Sequence, residues 1–142
     1  MGKSSNPEYR HDHLFLKMNG RKLYEYALKA VPQAMKECLD QAGLSVSEVN
    51  KVLIHQANEK MDEAILRNLL ELYGLNSSPK DMMPMTISWL GNSSVATLPT
   101  LYDLMHKGKL IDQALQKGSV VVFASMGAGV NMKAVAYKIP TA

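Results

Sequence analysis

Apolar residues recur at Leu23, Ala27, Ala30, Val31, Ala34, Met35, Cys38, Leu39 and Ala42, while Arg21, Lys22, Glu25, Lys29, Lys36, Glu37 and Asp40 occupy the remaining positions. That spacing predicts an amphipathic helix over 21–42, with a kink or a break into two segments at Pro32 and Gly43 as its C′ residue. Ahead of it, His13-Leu14-Phe15-Leu16-Lys17-Met18 reads as a short buried strand and Asn19-Gly20 as a turn. Val52-Leu53-Ile54 is continuously apolar and β-branched, as in a strand buried on both faces. Asn58 is the candidate N-cap of a second helix, whose stripe is Met61, Ala64, Ile65, Leu69 and Leu72 and whose stop is Gly74. Met85-Thr86-Ile87-Ser88 reads as a weaker strand. Gly91-Asn92-Ser93-Ser94 turns into a third helix, Val95 to His106, with Pro99 in an early turn. Ser119 to Ala124 and Val130 to Tyr137 form two strands around Gly127-Ala128-Gly129, a hairpin.

The order β-α-β-α-β-α-β-β implies an α/β fold, a mixed sheet with packed helices. Residues 1–12 are polar and read as a tail or an added linker, with Met1 to Ser5 as an artificial start; the domain is 13–142. Hydrophobic residues make up 46% and charged residues 20%, which excludes disordered and collagen-like classes. No apolar run has the length of a membrane span and no apolar h-region opens the chain, so the expected location is the cytoplasm. The single cysteine, Cys38, forms no internal disulfide and agrees with a reducing compartment. A net charge of +3 is too small to argue for nucleic acid.

Three polar clusters fall at strand ends, where α/β proteins place their sites. They are His55-Gln56-Ala57-Asn58, Gly91-Asn92-Ser93-Ser94 and Gly127-Ala128-Gly129. Brought together, they set an imidazole, a carboxamide and a row of backbone N–H groups around one pocket. A neutral imidazole and an amide NH2 can both donate hydrogen bonds. Two donors aimed at one carbonyl oxygen suit a developing enolate or oxyanion, for instance one formed by loss of CO2 beside a thioester. No metal is needed.

The runs HQAN and GNSS, in this order and context, resemble motifs of 3-oxoacyl-[acyl-carrier-protein] synthase III. Met18-Asn19-Gly20 opening a long helix and the final glycine hairpin match the C-terminal half of that family, so the resemblance covers residues 14–139. It implies one half of a thiolase-like fold. It implies that His55 and Asn92 bind the thioester carbonyl of malonyl-[acyl-carrier-protein], that Gly127, Ala128 and Gly129 supply the oxyanion turn, and that Lys60 helps dock the carrier protein. The nucleophilic cysteine of the family lies in its N-terminal half, so this chain alone is expected to be inactive. Acyl-CoA and malonyl-[acyl-carrier-protein] are the implied substrates, with no cofactor and no metal. The implied partners are the cysteine-bearing half, acyl carrier protein and, for the complete enzyme, a second copy. Three departures stand out: Met126 where the family often has an aromatic, Ala128 inside the glycine turn, and Lys60 where arginine is commoner.

Other residues read more simply. Cys38 belongs to an apolar helical stripe, where nothing activates a thiol. Gln56 holds its loop. His11-Asp12-His13 is a solvated stretch; His106, Lys107, Lys109 and Lys117 form an exposed basic face; most of the ten methionines fill gaps in a core or at an inter-domain seam, and Trp89 either lines the substrate channel or packs. Two alternatives remain beside the synthase reading. One is a related enzyme, a polyketide-type starter synthase or a 3-hydroxy-3-methylglutaryl-CoA synthase, although no glutamate base stands out for the latter. The other is a non-catalytic half that recruits acidic carrier protein through Lys60. Cut free from its other half, the chain should expose an apolar seam and self-associate.

Overall fold

The computed structural model describes residues 2–3, 6, 8, 13–15, 19–79 and 81–141. The chain runs through β1 (Gly2–Lys3), β2 (Leu14–Phe15), α1 (Gly20–Gln41), β3 (Val49–Ile54), α2 (Glu59–Glu71), α3 (Ile87–Leu90), α4 (Thr97–His106), β4 (Val120–Gly127) and β5 (Asn131–Lys138). The short strands β1 and β2 pair antiparallel. The main sheet has the order β3-β4-β5, with β3 and β4 parallel and β4 and β5 antiparallel, so it is mixed as expected. Of the buried strand expected over 13–18, Leu14–Phe15 is a strand, half exposed at Leu14, and residues 16–18 lie outside the described residues.

One helix runs through Pro32 rather than two. Proline has no N–H to give the carbonyl four residues back, and the Leu28 carbonyl would be left without its helical partner. The Nδ2 of Asn68, on α2, donates to that oxygen at 2.8 Å. At the far end Leu44 N–H reaches the Leu39 carbonyl and Gly43 N–H the Asp40 carbonyl, with Gly43 at φ 64°. This is a Schellman ending, and it fixes where the chain turns towards β3.

Val52, Leu53 and Ile54 are all buried, Val52 and Ile54 in one core and Leu53 in another on the opposite face of the sheet. The larger core lies under α1 and α2; the smaller joins Leu53 and Val121 to Leu101 and Met105 of α4. Pro99 is the third residue of α4, where an N–H would have no helical partner.

The expected strand over 85–88 does not form. Gln56 takes its backbone donors: its Oε1 accepts from Thr86 N–H at 2.8 Å, Ile87 N–H at 3.1 Å and the Thr86 hydroxyl at 3.2 Å, while its Nε2 donates to the Pro84 carbonyl at 2.8 Å. Donors spent on a buried side chain cannot join a ladder, and the segment coils into the single turn of α3.

Candidate active site

His55 is the first residue past β3 and still bonds through its N–H to the Ala124 carbonyl of β4, at 3.1 Å. The imidazole therefore leaves the carboxyl end of a rigid strand. Asn58 then caps α2, its side chain accepting from Met61 N–H at 3.3 Å. Between them Gln56, fully buried, fastens the 84–87 segment, as its expected loop-holding role requires. That segment leads through α3 to Gly91, whose φ of 67° turns the chain back towards His55.

Two hydrogen bonds join the first two motifs. Ser94 N–H donates to Asn92 Oδ1 at 2.8 Å, and the Ser94 carbonyl lies 3.1 Å from His55 Nδ1. Since Oδ1 accepts from that N–H, the NH2 of Asn92 is directed away from the contact. A carbonyl can only accept, so a hydrogen bond across this contact has His55 Nδ1 as its donor.

His55, Asn58 and Gly127 border one cleft of about 480 Å³, walled by Leu23 and Tyr24 of α1 and floored by Ile54 and Met126. Most of its lining is apolar, and Asn92 is not among the residues that line it. Ala128 and Gly129 follow Gly127 in the hairpin turn, Gly129 at φ 76°. Lys60 is exposed in the first turn of α2, next to the cleft-lining Met61. A wider hollow of about 590 Å³, between α2 and residues 75–85, holds Glu63, Arg67 and Asp81 but neither motif.

The model of the family described as 3-oxoacyl-[acyl-carrier-protein (ACP)] synthase III C terminal matches residues 39–139. The chain belongs to that family. A β-ketoacyl-[acyl-carrier-protein] synthase III from Porphyra umbilicalis is 35% identical over 137 residues, which is 96% of this chain and 38% of that protein. A synthase III of the same name from Lactobacillus delbrueckii subsp. bulgaricus is 34% identical over 83% of this chain. Among solved structures, the Aquifex aeolicus synthase III has a TM-score of 0.70 at 29% identity, with 86% of this chain and 36% of that one covered. The Thermus thermophilus enzyme has a TM-score of 0.72 at 26% identity, covering 96% and 39%. The chain thus spans about two fifths of the length of its synthase III relatives, and the α/β half-fold expected from the motifs is the fold observed.

No group of three or more potential metal ligands comes together among the described residues, and His11 and Asp12 lie outside them. No helix among them is long and apolar enough to cross a membrane. Cys38 lies in the last turn of α1, half-buried and not among the residues that line the cleft.

Sequence reasoning missed Asp62. It is fully buried on α2, and neither carboxylate oxygen has a hydrogen-bond partner among the described residues. Burial, helped by the nearby Glu59 carboxylate, pushes its pKa up to about 7. The available signal was its position between Met61 and Ile65, inside the apolar stripe.

Proposed function

We propose that this chain is the substrate-decarboxylating half of a condensing enzyme that starts fatty-acid synthesis. The observation that carries the reading is the bridge through Ser94, which ties the His55 ring to the loop of Asn92 beside an apolar cleft. In this reading the thioester oxygen of malonyl-[acyl-carrier-protein] rests on Asn92 Nδ2 and on His55 Nε2 when that nitrogen carries a proton. As the bond to the malonyl carboxylate breaks and CO2 leaves, its electron pair moves onto the thioester oxygen as an enolate. The two donors stabilise that charge where it develops. The enolate carbon then attacks an acyl thioester held on a cysteine of the N-terminal half, and the thiolate departs as the 3-oxoacyl product forms. N–H groups of the turn Gly127-Ala128-Gly129 meet the oxyanion of that second step. The acyl chain occupies apolar space, and Met126 in the cleft helps set its shape.

The acidic carrier protein docks beside Lys60, which keeps a positive charge but lacks the two-pronged geometry of arginine. The cysteine-bearing half and a second copy of the complete enzyme are the other partners, and the reaction takes no cofactor or metal. Alone the chain is inactive, because nothing in it takes the place of the cysteine.

The test joins this chain to a cysteine-bearing half, as a mixture or one polypeptide, and follows CO2 release from malonyl-[acyl-carrier-protein]. His55→Ala or Asn92→Ala should each slow release by about 100- to 1,000-fold. Unchanged rates would remove the assignment. Lys60→Glu should raise KM for the carrier-bound substrate and spare kcat, whereas a purely recruiting half would bind carrier protein and release no CO2.

A further inference from the structure

Ser94 adopts φ 51°, a left-handed conformation uncommon outside glycine, and it stands between the two side chains just assigned to the substrate oxygen. Its N–H is held by Asn92 Oδ1 at 2.8 Å and its carbonyl meets His55 Nδ1 at 3.1 Å. We propose that Ser94 is a positioning residue whose carbonyl fixes His55 as the Nδ1–H tautomer, so that one loop peptide decides whether Nε2 accepts or donates a proton. The proposal rests on the reading of His55 and Asn92 as the pair at that oxygen.

The chemistry is one of matched partners. A neutral imidazole has one N–H and one lone pair, and the bond made by one nitrogen settles the role of the other. Set against a carbonyl, Nδ1 must hold the proton, since the opposite tautomer would face two lone pairs across 3.1 Å. The carbonyl points there because the left-handed φ of Ser94 rotates the peptide that follows it. Asn92 Oδ1, by gripping the Ser94 N–H, holds the peptide that precedes it.

Two states follow. With the peptide as found, Nε2 is an acceptor and the oxygen site has one side-chain donor, Asn92. If the peptide after Ser94 turns, the ring proton can exchange through solvent from Nδ1 to Nε2 with no net uptake, and the site gains its second donor. Addition of a second proton to the ring reaches the same donor with the peptide in place. The site would thus be completed by the substrate or by the missing half, rather than standing ready in this one.

The test reads the ring nitrogens of the 15N-labelled 142-residue chain by two-bond proton–nitrogen correlation in alkaline buffer, with His55→Gln assigning the signals. The expected pattern is a protonated, pyrrole-type Nδ1 and a pyridine-type Nε2. Ser94→Pro, whose ring fixes φ near about −65°, withdraws the carbonyl, and the two types should exchange. Ser94→Gly tolerates the left-handed φ and should keep the wild-type pattern. Asn92→Ala, at an exposed position, frees the Ser94 N–H and should move the ratio several-fold towards Nε2–H, which covers the case of a proline variant that does not fold. A wild-type ring with Nε2–H, or an unmoved tautomer in both Ser94→Pro and Asn92→Ala, overturns the proposal. None of these signals depends on CO2 release, so loss of the decarboxylation role and loss of the tautomer control would be separate results.

Discussion

On one face of the β3-β4-β5 sheet, α1 and α2 close over a core of sixteen buried side chains that includes Met35, Leu39, Ile65 and Leu69. On the other, α4 packs on the sheet, and among the described residues only four, Leu53, Leu101, Met105 and Val121, are buried in that core, with Leu98, Tyr102 and Phe123 partly buried against them. Beside α4 runs an apolar groove bounded by Leu98, Tyr102, Phe123, Val135 and Tyr137. The β5 strand shows the contrast within eight residues: Met132, Ala134 and Ala136 are half-buried towards the deep face, while Val135 and Tyr137 stand 54% and 38% exposed on the shallow one. Near the motif loop, Trp89 and Val95 are 59% and 90% exposed. An apolar face left this open is the surface through which the expected self-association would act.

Matched truncations test that contrast most strongly. Leu39→Ala should cost about 3–5 kcal/mol in urea unfolding, because two helices and the sheet hold the cavity open. Leu101→Ala, equally buried, should cost about 2–3 kcal/mol, because α4 can settle onto the sheet with nothing packed above it. Equal losses would erase the distinction.

Asp62 is the weak point of the deep face. Its carboxyl is protonated in the fold to about pH 7, whereas in the unfolded chain it ionises near its ordinary value of 3.8. Between those values the folded chain binds more protons than the unfolded one, so stability falls as pH rises through the window, by roughly 2–4 kcal/mol from this residue. Asp62→Asn should flatten the slope, and Asp62→Leu should stabilise the protein at neutral pH. A wild-type stability that rises from pH 4 to 7 would contradict the burial of an unpartnered carboxyl.

Asn68→Ala leaves the Leu28 carbonyl without its donor and should cost about 1–2 kcal/mol, with any bend in α1 appearing at Pro32. The smallest thermodynamic effect is expected on the shallow face. Val135→Lys should change stability by less than about 0.5 kcal/mol yet reduce self-association in sedimentation at tens of micromolar. A wild-type chain that sediments as a monomer there would mean the groove is not sticky enough to matter.

The helices α1 and α2 and the hairpin β4-β5 were legible in the sequence because burial on one face writes its period into the apolar positions, and because Gly43, Asn58 and Gly127 punctuate them. The segment 85–88 was misread, since its β-branched residues satisfy a strand pattern while its backbone donors go to Gln56, thirty positions away. The contact between the Ser94 carbonyl and His55 Nδ1 was equally hidden. Local letters carry no record of which carbonyl a loop will aim at a ring.

The sequence by itself determined the family and the course of α1, α2 and the β4-β5 hairpin, because those rest on periodicity, turn residues and motif identity along a single chain. Only the tertiary structure decided that Asn68 repairs a proline gap, that Asp62 is buried without a hydrogen-bond partner among the described residues, that the Ser94 carbonyl meets the His55 ring, and that one sheet face stands open. Each of these depends on which distant atoms meet, and hydrogen bonding and burial act across space.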